Sequence, residues 1–122
     1  MKATAMLLAA TVLAGCATAK PDIPMDRLVT LTEAQRKAIE AEVRTHLKDP
    51  DSARFGTIVA GANATETRVC GWVNSKNSYG GYGGNIGFHG TLDASGKFRF
   101  WGADDPSYLL IPTICRDHGL VI

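Results

Sequence analysis

The dipeptide Asp49-Pro50 separates two segments with different hydrophobic periodicities. Before it, Ile39, Val43 and Leu47 recur at every fourth position, the spacing of a one-sided apolar stripe on a helix. The helix is expected to end at this dipeptide, because proline disfavours the helical conformation of the residue before it. Two threonines near its start have the partner three residues later that a capping box requires: Thr30 with Glu33, and Thr32 with Gln35.

After the dipeptide the period changes to two, which is typical of strands with one buried face. Phe55, Thr57 and Val59 indicate the first strand, and the alternation is cleanest from Thr65 to Asn74. Two more strands are predicted at Asn85–Leu92 and Lys97–Trp101, with turn residues between them. Consecutive strands joined by short turns favour an antiparallel sheet.

The C-terminal segment contains a second helix signal. Asp105-Pro106-Ser107 is typical of a helix start, and Pro112 is expected to break or kink the helix that follows. The predicted fold is therefore α+β: an N-terminal amphipathic helix packed on an antiparallel meander of about four strands, with a short C-terminal helical segment.

The N-terminus has the pattern of an export signal. Lys2 precedes an apolar stretch from Met6 to Val12, which is shorter than the ~20 residues that span a bilayer. Leu13-Ala14-Gly15-Cys16 then matches a lipobox, in which the cysteine thiol is alkylated by a diacylglyceryl group. The alternative is a buried N-terminal helix with an incidental cysteine. The lipobox predicts a lipoprotein held in a membrane by acyl chains on Cys16.

This assignment divides the chain into three parts: a signal peptide over residues 1–15, a lipidated cysteine and proline-containing tether over residues 16–29, and one α+β domain over residues 30–122. Ala17 after the cysteine favours the periplasmic face of the outer membrane, with the inner membrane as the alternative. The mature part has twelve basic and twelve acidic side chains, so its charge does not indicate nucleic acid. The expected partners are the membrane and an envelope protein or glycan.

Cys70 and Cys115 remain as an even pair in an oxidising compartment, and we expect them to form a disulfide. The alternative is a catalytic or metal-binding thiol. The sequence has no CxxC, and His46, His89 and His118 show no zinc-site spacing with either cysteine. No metal or cofactor is expected beyond the covalent lipid.

The segment from Asn74 to Gly84 is the best candidate for a functional site. Its glycines allow close backbone approach, while its asparagines and tyrosines offer hydrogen bonds and aromatic faces. The alternative is a hairpin connection whose asparagines bond to the loop backbone itself. The candidate interaction residues are Trp72, Asn74, Lys76, Asn77, Tyr79 and Tyr82.

Two stretches carry a resemblance: D-P-x-S-A-x-F from Asp49 to Phe55, and C-G-x-V-N-x-K-N-x-Y-G-G-Y-x-G from Cys70 to Gly84. In these the chain resembles a group of small exported proteins of bacteria and their phages, most of them uncharacterised. The resemblance implies a paired cysteine at Cys70 and a functional or structural role for the Asn74–Gly84 loop. It implies no particular activity.

No nucleophile-elbow motif is present, and the three histidines fall on different predicted elements, so we expect no catalytic residues. The favoured function is a non-catalytic envelope binding or structural accessory domain. The alternatives are an inhibitor or exclusion factor that acts on an envelope hydrolase or a phage component, and an envelope enzyme. The enzyme would require the histidines to converge with carboxylates in a pocket.

Overall fold

Five antiparallel strands form one sheet in the order β1-β2-β3-β4-β5, so each strand pairs with its neighbours in sequence. A computed structural model describes residue 15, residues 23–103 and residues 109–122. Its elements are β1 (Arg27–Val29), α1 (Glu33–Thr45), a 3-10 turn (Pro50–Ser52), β2 (Arg54–Ala62), β3 (Thr67–Asn74), β4 (Ile86–Leu92), β5 (Phe98–Ala103) and α2 (Leu110–Asp117). The α+β class and the antiparallel sheet are confirmed, but the sheet has five strands and not four.

The additional strand is β1, which lies in the segment expected to be tether. Arg27 pairs with Ala62 and Val29 pairs with Ala60, so β1 is an edge strand beside β2. The folded part therefore includes residues before position 30. The lipobox residues Leu13, Ala14 and Cys16, together with residues 17–22, lie outside the described residues. Across the part of the chain that the structure describes, no helix is long and apolar enough to cross a bilayer.

Helix α1 covers the first face of the sheet. Of the two candidate capping boxes, the one that forms joins Thr32 and Gln35: each side-chain oxygen accepts a bond from the other residue's backbone amide. Ile39 and Val43 are fully buried against Val69 and other side chains of the core between α1 and the sheet, which we call the first core. The apolar stripe thus folds as its period predicts.

A bulge in β2 changes which of its side chains reach this core. Phe55 pairs with Val73 and Ile58 with Gly71, so β2 holds one residue more than β3 between these pairs. Phe55 and Ile58 therefore both contribute to the α1 side, although they are three positions apart. The strand predicted at Phe55, Thr57 and Val59 is present as β2, but the bulge interrupts its period of two after Phe55.

Helix α2 covers part of the second face. Cys115 of α2 is bonded to Cys70 of β3, which confirms the predicted disulfide, and both residues are fully buried beside Ile111 and Leu120. Pro112 neither breaks nor kinks the helix, because it lies in the first turn, where no intrahelical N–H bond is needed. The predicted start at residues 105–107 lies outside the described residues.

Candidate interaction loop and a polar cluster

The loop between β3 and β4 closes on itself as a small hairpin. Lys76 and Tyr82 form an isolated antiparallel bridge. Inside it, the Asn77 amide donates to the Gly81 carbonyl at 2.8 Å, and the Gly80 amide donates to the Asn77 carbonyl at 3.0 Å. Gly80 has a φ of 82°, a left-handed conformation that glycine adopts without steric cost. The loop backbone therefore has a defined path.

The two asparagines of the loop are used within it. The Asn77 side-chain oxygen accepts from the amide of Tyr79 at 2.9 Å and from the amide of Gly81 at 3.3 Å. The Asn74 side-chain oxygen accepts from the amide of Gly84 at 3.2 Å. For these two residues, the structure favours the alternative in which asparagines bond to the backbone of their own loop.

Tyr82 fastens the loop to the 3-10 turn at Pro50–Ser52. Its hydroxyl donates to the Ser52 carbonyl at 3.0 Å, and the Arg54 guanidinium lies 4.2 Å from its ring centroid. The Lys76 amide donates to the Ser52 hydroxyl at 2.8 Å. Tyr82 and the backbone of Lys76 thus hold the loop in place, while the Lys76 ammonium, 5.8 Å from the Tyr82 ring centroid, adds a second cation beside this ring.

Tyr79 differs from the other loop residues. Its side chain is 97% exposed, and its backbone amide is held by Asn77. Trp72 is not part of the loop: it pairs with Gly87 and is half-buried on the sheet face that carries Cys70. The structure therefore brings together Asn74, Lys76, Asn77 and Tyr82, places Tyr79 at the tip, and leaves Trp72 on the sheet.

An open cleft of about 470 Å³ lies between the end of α1 and this loop. Lys48 and His46 line one side, and Lys76 and Asn77 line the other. His46 stacks on Phe100 at 4.0 Å between ring centroids and bonds to Glu42 at 3.2 Å, so its ring is held at the edge of the first core. The His46 ring is thus packed on one side and half exposed.

The second sheet face carries a polar cluster that the sequence did not predict. The carboxylate of Glu66 bonds to the guanidinium of Arg68 at 2.9 Å, and this guanidinium lies 5.7 Å from the Trp101 ring centroid. The Trp101 indole N–H donates to the Thr91 hydroxyl at 3.1 Å. Trp101 is nevertheless 54% exposed, so its ring lies at the surface above the buried Arg68.

His89 belongs to the same cluster, with its ring centroid 6.2 Å from that of Trp101. Burial lowers the pKa of His89, and electrostatic interactions with Arg68 and His118 lower it further. A neutral imidazole is therefore favoured near pH 7. His89 and His118 converge here with a guanidinium, while His46 lies on the other side of the sheet beside Phe100.

An acidic side chain also belongs to this polar cluster. The carboxylate of Glu66 is engaged in the ion pair with Arg68. Among the described residues, no group of three or more His, Cys, Asp or Glu side chains is placed to hold a metal ion. The cluster presents the exposed ring of Trp101 above the buried guanidinium of Arg68.

The sequence contains only part of the information needed to predict this polar cluster. Arg68 shares the predicted strand face of Cys70, but its neighbours His89 and Trp101 become known only from the register of β3, β4 and β5. Comparison with known proteins gives no further guidance: no protein-family profile, no curated protein and no solved structure matches the chain.

Proposed function

We propose that this chain is an exported lipoprotein, anchored by Cys16, whose folded domain binds an envelope protein through the tip of the Asn74–Gly84 loop and has no catalytic task. The observation that carries the binding role is the 97% exposure of Tyr79 on a loop whose backbone is fixed by its own hydrogen bonds.

Two features support export and anchoring. The lipobox Leu13-Ala14-Gly15-Cys16 provides one thiol for lipidation. The other two cysteines are joined in the Cys70–Cys115 disulfide, which suits an oxidising compartment. Ala17 favours the outer membrane, with the domain on its periplasmic side.

The loop has the properties of a prepared binding surface. A rigid aromatic side chain gives a large contact area at low entropic cost, and a loop that is already ordered loses little freedom on binding. Asn77 orders the tip from inside, and Tyr82 orders the base by its bond to Ser52. Tyr79 is thereby available for contact with a partner.

The same feature favours a second candidate, an inhibitor of an envelope hydrolase. A single exposed ring at the tip of a fixed loop has the shape that enters a substrate cleft. The two functions differ in their consequence for the partner, since only an inhibitor lowers the partner's hydrolytic activity when it binds.

The binding role is tested by photo-crosslinking in intact cells. A photoreactive amino acid in place of Tyr79 should give a specific protein adduct. The same amino acid in place of Ser95, an exposed residue in the turn after β4, should give none. Excess protein with Tyr79 intact should compete with adduct formation, whereas the Tyr79→Ala protein should not. Equal adducts from both positions, or none from position 79, would contradict the binding role.

The anchor is tested separately. Radiolabelled palmitate should be incorporated into the full chain and should be absent from the Cys16→Ser variant, which should leave the membrane fraction. Palmitate incorporation that survives the substitution would contradict the assignment of Cys16.

A further inference from the structure

Three apolar side chains are exposed where the chain enters the folded domain. Leu28 and Val121 are each 75% exposed, and Ile23 is 45% exposed. We call Ile23, Leu28 and Val121 the apolar corner. Single exposed aliphatic side chains are ordinary on protein surfaces, so the relevant question is whether these three lie together and what lies near them.

Backbone contacts place the three residues at one corner of the sheet. Leu28 pairs with Gly61, and cross-strand partners direct their side chains to the same face. A Cβ on Gly61 would lie 2.8 Å from the Leu120 side chain, and Val121 is the next residue in the chain after Leu120. The Ile23 carbonyl accepts from the Asn63 side chain at 3.0 Å, just beyond the end of β2.

The lipidated cysteine is close to this corner in sequence. Six residues separate Cys16 from Ile23. Even a fully extended chain of this length spans only about 25 Å. An anchor at Cys16 therefore keeps the apolar corner near the bilayer surface. The charged residues Asp26 and Arg27 lie beside the apolar corner. They pair with each other at 2.9 Å and so bring no net charge to a contact with the membrane.

We propose that the apolar corner rests on the lipid bilayer, with Leu28 and Val121 in the headgroup region, and that it fixes the orientation of the domain on the membrane. The inference rests on the lipid anchor of the proposed function. Exposed aliphatic side chains gain by partial burial at this interface, and the acyl chains already hold the domain there.

This orientation places the candidate interaction loop away from the membrane. Ile23 contacts the turn between β2 and β3, whereas the loop follows the opposite end of β3. β3 has eight residues, a length of about 25 Å. Tyr79 is therefore separated from the apolar corner by about the length of β3 and lies at the end of the domain that the proposed orientation turns away from the lipid.

The test uses the full chain in vesicles of phosphatidylethanolamine and phosphatidylglycerol, after intact mass has measured lipidation of Cys16. Nitroxide labels are introduced through Leu28→Cys and, as a matched control, through Tyr79→Cys. The native Cys70 and Cys115 are buried in their disulfide and do not compete for the label. The ratio of collision rates with oxygen and with a water-soluble nickel chelate should be several-fold higher at position 28 than at position 79.

The label at position 28 could itself change how the domain contacts the membrane, so a second experiment places the label at position 23. In protein labelled through Ile23→Cys, the added pair Leu28→Ser and Val121→Ser should abolish the oxygen preference at position 23 while the lipid remains attached. Lipidated protein with equal ratios at positions 28 and 79, or with no response to the serine pair, would overturn the orientation alone. An unmodified Cys16 would overturn the anchor as well as the orientation that rests on it.

Discussion

The hydroxyl of Tyr82 donates a hydrogen bond to the backbone carbonyl of Ser52, thirty residues earlier in the chain, at 3.0 Å. The Ser52 hydroxyl accepts from the Lys76 amide at 2.8 Å and donates to the Asp49 carbonyl, also at 2.8 Å. The two stretches that carry the sequence resemblance are therefore in direct contact. Ser52 of the D-P-x-S-A-x-F stretch thus holds the tyrosine-containing loop through hydrogen bonds to Lys76 and Tyr82.

We expect Tyr82→Phe to loosen the loop without unfolding the domain. The substitution removes one hydrogen bond of a partly exposed hydroxyl, which contributes about 1 kcal/mol. Amide hydrogen exchange should therefore become faster from Asn77 to Gly84 and stay unchanged in β4. Tyr79→Phe is the matched control and should leave exchange unchanged, since the Tyr79 side chain is almost fully exposed. Equal exchange in both variants would show that the Ser52 contact does not hold the loop.

Gly71→Ala should destabilise the domain by overpacking. A Cβ at this position would lie 2.6 Å from Cζ of Phe88, a fully buried ring in the first core. Overpacking of this kind lowers the free energy of unfolding by about 1–3 kcal/mol. Urea unfolding measures the loss, and Gly81→Ala is the control because nothing lies within 4 Å of its Cβ position. A Gly71→Ala protein as stable as the Gly81→Ala protein would contradict the packing described for Phe88.

Loss of the disulfide should cost the domain much of its stability. The bond joins residues 45 positions apart, so its removal restores a large amount of chain entropy to the unfolded state. The expected reduction in the free energy of unfolding is about 3–4 kcal/mol. Dithiothreitol should therefore lower the urea midpoint of the wild-type chain. It should have no effect on the double variant Cys70→Ala with Cys115→Ala, and an unchanged wild-type midpoint would refute the expectation.

His89 should make stability depend on pH. The folded-state pKa of His89 lies below the ordinary value of 6.5, first because of burial and then because of electrostatic interactions with Arg68 and His118. The unfolded chain therefore binds the proton more readily, so this residue stabilises the fold above pH 6.5 and loses the effect as pH falls through the folded-state pKa.

Urea unfolding between about pH 8 and about pH 5 measures this effect. His89→Gln should decrease the loss of stability on acidification relative to the wild-type chain. Lys97→Gln, a substitution of an exposed residue in the turn before β5, is the control and should keep the wild-type slope. A slope that is the same in all three proteins would exclude His89 as the cause.

The sequence predicted the parts of the fold that follow from local periodicity. Side chains from Thr67 to Asn74 divide between the two faces as expected, because alternation along a strand does not depend on its partners. The helix around Ile39 and Val43 also follows directly from its apolar spacing. The strand β1 was missed because three residues carry no measurable period, and two of its side chains are exposed.

The polar cluster could not be predicted because it depends on register and on a bulge. His89 pairs with Gly102 and Gly90 pairs with Phe100, so Trp101 is the extra residue of β5 and joins Arg68 on the second face. For the loop, the sequence identified the segment but left its role open. In the structure, the side chains of Asn74, Asn77 and Tyr82 form hydrogen bonds that hold the loop. The Tyr79 side chain is instead almost fully exposed.

The position of the disulfide also has a consequence for how the chain would mature under the proposed export. The pairings of β1 to β5 and the packing of α1 on the sheet involve only residues 27–103, so under the proposed export these elements could form before the C-terminal segment has crossed the membrane. The Cys70 thiol lies on the face that α2 covers, and it stays accessible to small oxidants and to other thiols until Cys115 arrives. A cell short of thiol oxidase should therefore accumulate a species with a finished sheet and an undocked C-terminal helix.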